Sequence, residues 1–409
     1  MSGMSRPTKK LGRWLRRYSL TLVAALGGAA GVAYAAGWHS PAIARSTATA
    51  VLGVAPSPER DQIQDTVQIA LLLDTSSSMD GLINQARSHL WKMVDDLGKM
   101  TRVVDGKTRG VKIELALYEY GNNTIPESAG YIRQVLPFTT DLDRVSEQLH
   151  GLATNGGSEF AGQAIATSIN ALQWSTDPAA MRFVFVAGNE EFNQGPVTAA
   201  TAMAAAARKD INVQLIFCGD DEPTWQAAAK LAKSDLVTID QNQVAQHIAS
   251  PQDADILRLG NELNGTYIAY GADGRAAVER QAKADASSAK MSPKVALERA
   301  QLKGKAIYSN DSWDVVDAVA RNNKFLEQAA DDKLPGELRG KPLAEKQQIV
   351  AANAARRAQL KAQIAKLEAE RTGFLDASRA KAGAAPVQSL ETELMKSTKK
   401  IATKKGYKP

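Results

Sequence analysis

The sequence predicts an α/β fold: a doubly wound, mostly parallel sheet followed by an α-helical C-terminal region. Three observations carry this. Short apolar runs alternate with amphipathic stretches from Val67 to Asp240, the pattern of an open sheet with helices on both faces. The first run, VQIALLLD, ends in Asp74 and continues into Thr75, Ser76, Ser77 and Ser78. Polar atoms thus gather at the carboxyl end of a buried strand, where such sheets bind ligands. After Pro251 the chain turns to long stretches rich in Ala, Lys and Gln, which read as helices.

The elements follow in order. Residues 67–74 are too short for a helix and read as a buried parallel strand. Leu82, Ala86, Leu90, Met93 and Leu97 recur at helical spacing. VKIELALYEY and YIRQVLPF read as strands joined by the turn-rich GNNTIPESAG. Asp141 is placed to cap a helix over DLDRVSEQLHGL. AGQAIATSINAL reads as a helix, MRFVFVAG as a strand, VTAATAMAAAARKD as a helix and INVQLIFCG as a strand. PTWQAAAKLAKS follows as a helix, with LVTID as a last short strand. Beyond these, PQDADILRLGNELN is a helix, TYIAYGADGR a short strand and turn, and Ala276 to Lys305 mostly helical. SWDVVDAVARNNKFLEQ reads as one further helix. Leu343 to Lys381 reads as one long polar helix with Leu360, Ile364, Leu367 and Phe374 on one face. That stripe suggests a helical hairpin or a short coiled coil.

The domain plan is therefore a leader over 1–36, a linker over 37–62 and a sheet domain over 63–248. A helical extension over 249–340, the long helix over 341–385 and a basic tail over 386–409 complete it. The leader has six basic residues and no acid before residue 45, then LTLVAALGGAAGVAYAAG with Ala33-Tyr34-Ala35 as a cleavage site. This is the layout of a secretory signal peptide, or of an uncleaved N-terminal membrane anchor. Either places the protein outside the cytoplasm, in a periplasm or beyond. Arg16-Arg17 hints at twin-arginine export.

The formal charge of +6 comes from 50 basic and 44 acidic residues. Without the six bases of the leader the two balance, so nucleic acid is not an expected partner. The last sixteen residues hold six Lys and no acid, which reads as a solvated basic tail. The single cysteine, Cys218, excludes an intramolecular disulfide, and four scattered His give little support for a zinc site.

Asp74, Ser76 and Ser78 are spaced D-x-S-x-S. A loop leaving a strand can turn alternate residues toward one centre, which brings together a carboxylate and two hydroxyls. Such hard oxygen donors suit a divalent cation, Mg²⁺ first, with Mn²⁺ or Ca²⁺ as alternatives. Ser77 is expected to point away. The helix that starts near Met79 adds N–H groups to the neighbourhood.

These features resemble a von Willebrand factor type A domain, whose D-x-S-x-S loop opens a metal-ion-dependent adhesion site. The resemblance covers Val67 to Asp240. WKMVDDL, ALYEYGN, GYIRQVLPFTTDLD, TNGGSEFAG, VAGNEEFNQG and IFCG resemble an exported bacterial subgroup. It implies two more ligand loops, one with Thr before a G-x-A-L helix start and one with Asp after the fourth strand. This sequence departs from both. Gly162 to Ile165 is preceded by Ser158, Glu159, Phe160 and Ala161, which leaves Thr154, Ser158 and Glu159 as candidates. The third loop reads Ala187-Gly188-Asn189-Glu190-Glu191, which favours Glu190, with Glu159 second. The implied function is non-enzymatic: metal-dependent binding of a protein partner that presents an acidic side chain, as an adhesion or assembly scaffold in the cell envelope. The alternative is a Mg-dependent hydrolase of phosphate or ester substrates. Against it stand Ser76 where D-x-D would place a second acid, and the absence of a G-x-S-x-G elbow or Walker loop.

Overall fold

The computed structural model describes residues 64–240, 247–382 and 390–408. The expected leader and linker lie outside the described residues. Among the described residues no helix is long and apolar enough to cross a membrane.

The sheet domain runs β1 (Asp65–Asp74), α1 (Asp80–Gly98), β2 (Thr101–Val104), β3 (Lys107–Arg109), β4 (Val111–Tyr120), β5 (Ile132–Thr139), α2 (Leu142–Gly151) and α3 (Ala161–Ala171). It continues through β6 (Met181–Gly188), α4 (Ala199–Arg208), β7 (Asn212–Phe217), α5 (Pro223–Ala232) and β8 (Leu236–Thr238). Six strands form one sheet in the order β5-β4-β1-β6-β7-β8. All neighbours are parallel except the edge strand β5, which is antiparallel to β4.

The central place of β1 explains its unbroken apolar run. Side chains alternate between faces along a strand. Val67, Ile69, Leu71 and Leu73 pack with Leu82 and Leu90 of α1 and Val145 and Leu149 of α2. Ala70 and Leu72 pack on the other face with Ile165 of α3, Met203 of α4 and Trp225 of α5. The chain leaves β1 for β4 on one side and later returns to β6 on the other. The carboxyl end of β1 is therefore the point where strand order reverses. Asp141 caps α2 as expected, its Oδ1 accepting from the Arg144 amide at 3.0 Å.

The helical region comprises α6 (Asp253–Asn264), α7 (Gly274–Met291), α8 (Pro293–Lys303), α9 (Val315–Arg321), α10 (Phe325–Gln328), α11 (Leu343–Ala382) and α12 (Leu390–Lys404), with β9 (Tyr407–Lys408) at the end. It adds a layer over the α1–α2 side: α7 packs on α2, while α8 and α12 pack on α1. A buried ionic cluster pins this layer down. Arg299 of α8 reaches Asp143 of α2 at 2.7 Å and Asp285 of α7 at 2.8 Å. Its guanidinium also sits 4.4 Å over the Trp91 ring of α1. Tyr308 donates to Asp143 at 2.6 Å, and Lys303 reaches Asp285 at 2.6 Å. Burial still pushes the Lys303 ammonium down to about 8, with Asp285 pulling the other way. α11 lies across α6, α8, α9 and α10 and is held by Arg357, which pairs with Asp314 at 2.6 Å and Asp317 at 2.8 Å.

Several expectations need correction. Residues 312–328 form two short helices, because Asn322 adopts an extended conformation that ends α9. The helical stretch 276–305 breaks at Ser292, whose hydroxyl caps α8 ahead of Pro293. The strand in TYIAYGADGR reduces to one bridge between Ala269 and Asp314. On α11, Leu360 and Ile364 are buried, but Phe374 is exposed. Arg371 already reaches Asp253 in the first turn of α6, and the last turns of α11 run beyond that helix. The basic tail is not simply solvated. Met395, Thr398 and Ala402 bury one face of α12, Lys400 pairs with Asp235 and Lys405 with Asp210. Tyr407 and Lys408 pair with Arg102 and Thr101, which makes β9 the third strand of a small sheet ordered β3-β2-β9.

Candidate metal centre

The site starts at the carboxyl end of β1. β1 delivers Asp74 to full burial at the reversal point. The loop then turns back on itself: Asp74 Oδ1 accepts from the Ser76 amide at 2.7 Å, an Asx turn. Thr75 locks the loop to its neighbours. Its amide donates to the Tyr120 carbonyl at 2.9 Å, and its carbonyl accepts from the Asn155 amide at 2.9 Å. Its hydroxyl donates to Glu119 Oε2 at 3.2 Å, and Glu119 in turn pairs with Arg133. Asn122 ties the same loop to the segment before α3, donating to the Ala153 carbonyl at 2.9 Å.

That segment brings Glu159 beside Asp74. A Cβ placed on Gly121 would lie 2.8 Å from both Asp74 Oδ1 and Glu159 Cγ. Gly121 also has φ of 76°, so both space and backbone demand glycine there. On the other side, a Cβ on Gly188 would lie 3.3 Å from Asp74 Oδ2 and 2.5 Å from Tyr120 Oη. The Glu159 amide donates to Gln194 Oε1 at 3.1 Å, which fixes the backbone behind the carboxylate.

The polar atoms in this cleft lack partners. Asp74 Oδ2, Ser76 Oγ, Glu159 Oε2 and Asn189 Oδ1 are buried without a hydrogen bond, and such atoms are costly unless a ligand or ion satisfies them. Burial raises Asp74 from 3.8 to about 6; the hydrogen bond from the Ser76 amide opposes this, and the charge of Glu190 adds repulsion. Burial first, then the charges of Asp74 and Glu190, push Glu159 up to about 8. Two acids forced together in a closed space resist joint ionisation. A divalent cation removes that conflict.

The structure brings Asp74, Ser76 and Glu159 together. Ser78 stands at the rim, where its Oγ accepts from Asn189 Nδ2 at 2.8 Å. Glu190 follows Asn189 in the same loop; its side chain is exposed, and it acts on Asp74 and Glu159 through charge. Thr154 stands aside, its hydroxyl donating to Asp80 Oδ1 at 2.7 Å. Ser77 is exposed, away from the buried oxygens. Asn122, Gly121 and Gln194 shape the site without having been singled out in the sequence. Among the described residues there is no group of three or more His, Cys, Asp or Glu that could hold a metal ion. The donor set fits a hard divalent cation: Asp74, Ser76, Ser78 and Glu159 would hold it, with Asn189 Oδ1 nearby. Such an ion would supply a positive centre to which a partner's oxygen can bind.

The family model of the von Willebrand factor type A domain matches residues 68–255. Among solved structures, the chain is similar to proximal thread matrix protein 1 from the mussel byssus, at 12% identity and TM-score 0.32, over 43% of this chain and 42% of that one. The same mussel protein with a zinc-occupied MIDAS motif is similar at 10% identity and TM-score 0.33, over 44% and 43%. A von Willebrand factor type A protein from Catenulispora acidiphila is similar at 17% identity and TM-score 0.33, over 43% and 39%. The chain thus spans less than half the length of each of these structures. No curated protein matches it. Residues 68–255 of this chain are a von Willebrand factor type A domain.

Proposed function

We propose that this chain is an exported protein whose type A domain binds a protein partner only when a divalent cation, Mg²⁺ in the first place, occupies the Asp74–Ser76–Ser78–Glu159 centre. Type A domains commonly bind such a cation and mediate protein contacts. The observation that carries the reading is the set of buried oxygens on Asp74, Ser76 and Glu159 that face one cleft without a hydrogen-bond partner. A partner carboxylate completes the coordination. Two carboxylates already within the site balance a divalent charge, so the pull on a third is weaker than a one-carboxylate site would exert. The leader supports a periplasmic or exported location, and the helical layer supports a scaffold role in the envelope, for adhesion or assembly. The test is a pull-down from envelope extract with and without chelator, using wild type and Asp74→Asn. Capture that needs both the cation and Asp74 supports the proposal. Capture that ignores both refutes it, and so does phosphatase or esterase turnover that depends on Asp74.

A further inference from the structure

The loops around the metal centre carry one sign of charge. Five of them meet there: residues 75–79 after β1, 121–131 after β4, 152–160 before α3, 189–198 after β6 and 218–222 after β7. Hydrogen bonds knit them together. The Asn123 amide donates to the Gly156 carbonyl at 3.0 Å, the Phe192 amide to Thr224 Oγ1 at 2.8 Å, and Trp225 Nε1 to the Glu190 carbonyl at 2.6 Å. About one residue in eight of the chain is Lys or Arg, yet these five loops hold none, and no His. They hold seven acids. Glu159 belongs to the centre. Glu222 caps α5, accepting from the Trp225 amide at 2.9 Å, and Asp221 accepts from Gln226 Nε2 at 2.5 Å. The other four, Glu127, Glu190, Glu191 and Asp220, are exposed. Among the described residues their carboxylates have no hydrogen bond or ion pair. The bases on the adjoining elements are already engaged. Arg133 of β5 pairs with Glu119, and Arg87 of α1 donates to the carbonyls of Leu149 and Leu152, at 2.9 Å each.

Acids alone would make only a solvated rim. Here they surround Asp74 Oδ2 and Ser76 Oγ, buried oxygens without a partner on side chains 0% and 3% exposed. The rim therefore frames a binding cleft. A divalent cation in that cleft is balanced by Asp74 and Glu159, so its pull on a third carboxylate is weak. That carboxylate also has to enter past four like charges. A neutral or acidic surface gains little from such an approach. A surface whose acid is flanked by Lys and Arg is drawn in by the rim and then held by the cation.

We propose that the partner of the metal centre is a basic protein segment. Its own Asp or Glu reaches the cation, while flanking Lys or Arg meet Glu127, Glu190, Glu191 and Asp220. The proposal rests on the metal-dependent reading of the centre and adds the charge of the partner to it. Selectivity then comes from the rim, and affinity from rim and cation together.

The test measures binding of synthetic peptides to the full chain by fluorescence anisotropy, in Mg²⁺ and in chelator. One peptide has a central Glu between Lys residues. A second has Gln in place of that Glu, and a third has Ser in place of the Lys. The rim triple Glu127→Gln/Glu191→Gln/Asp220→Asn is compared with wild type and with Glu279→Gln/Glu327→Gln/Glu337→Gln, which removes equal charge from exposed sites in the helical region. Glu190 is left in place because its charge acts on Asp74 and Glu159. At about twofold in affinity per exposed charge pair, the rim triple loses roughly tenfold toward the first peptide in Mg²⁺, and the second triple stays within about twofold of wild type. Both triples keep the Mg²⁺ shift in melting. No binding of the first peptide to wild type in Mg²⁺ overturns the proposal, and so do equal losses in both triples, which assign the effect to diffuse net charge. Binding that needs the cation and the central Glu, but neither the Lys flanks nor the rim, overturns the proposal alone and leaves the metal-dependent reading standing. Binding that needs the rim but ignores both chelator and the central Glu overturns it through the failure of that reading.

Discussion

Asp74→Asn separates the reasoning about the metal centre from a generic stability argument, because two effects of opposite sign are expected. In the metal-free protein, burial first and then the charge of Glu190 raise Asp74 from 3.8 to about 6. At 1.36 kcal/mol per tenfold in proton affinity, keeping it charged at pH 8 costs about 3 kcal/mol. Asparagine keeps the acceptor for the Ser76 amide but weakens that bond by about 1 kcal/mol, since it is no longer charge-assisted. It can also donate to the orphaned Glu159 Oε2. The metal-free variant should therefore be about 2 kcal/mol more stable at pH 8, or about 4–8 °C in Tm at roughly 2–4 °C per kcal/mol. The sign follows from linkage. An acid whose folded pKa is raised contributes full stability below its unfolded value and loses it as pH rises through the folded value. The gain from the substitution is therefore small near pH 4, grows as pH rises from about 4 to about 6, and stays level above that. Adding Mg²⁺ reverses the ranking. At a hundred times its Kd, a ligand stabilises the wild type by about 2.7 kcal/mol, while the variant, short of a ligand, stays where it was. The assay is thermal unfolding at pH 4.5 and pH 8, with chelator and with Mg²⁺, Mn²⁺ or Ca²⁺. A variant that melts below wild type at pH 8 in chelator would refute the electrostatic account. Equal cation shifts in both proteins would refute the site.

Two other substitutions probe the frame around the centre. Gly121→Ala forces a side chain into the left-handed region and against Asp74 and Glu159, so it should cost at least about 1–2 kcal/mol and abolish the Mg²⁺ shift in melting. An unchanged shift would mean the cation binds elsewhere. Arg299→Ala leaves Asp143 and Asp285 buried without their shared cation and should cost about 3–5 kcal/mol in urea unfolding; a loss below about 1 kcal/mol would mean the helical layer does not depend on this cluster.

The sheet was legible because β1 is buried on both faces, so its apolar run could be neither an edge strand nor an amphipathic helix. The Asp–Ser loop was legible because its candidate ligands are two residues apart. The rest of the centre was less so. Asn122 and Thr75 meet across 47 positions, and Gln194 meets Glu159 across 35, separations at which spacing carries no signal. The small sheet could have been found: Asp105-Gly106, with φ of 51° and 72°, is the hairpin dipeptide for a tight two-residue turn. It was hidden by strands of only four and three residues. The tail concealed its packing in the same way. Met395, Thr398 and Ala402 follow helical spacing, but six lysines in the same stretch mask that periodicity.

The pairing of β9 with β2 also has a kinetic side. Tyr407 and Arg102 are joined across roughly 300 residues, and closing so long a loop is entropically slow. The outer surface of α1 against which α12 packs stays bare until the chain end has arrived, whereas the sheet strands can pair as soon as they are together. A nascent chain therefore passes through a state with a nearly complete sheet and an uncovered apolar flank, the kind of intermediate that aggregates or recruits chaperones.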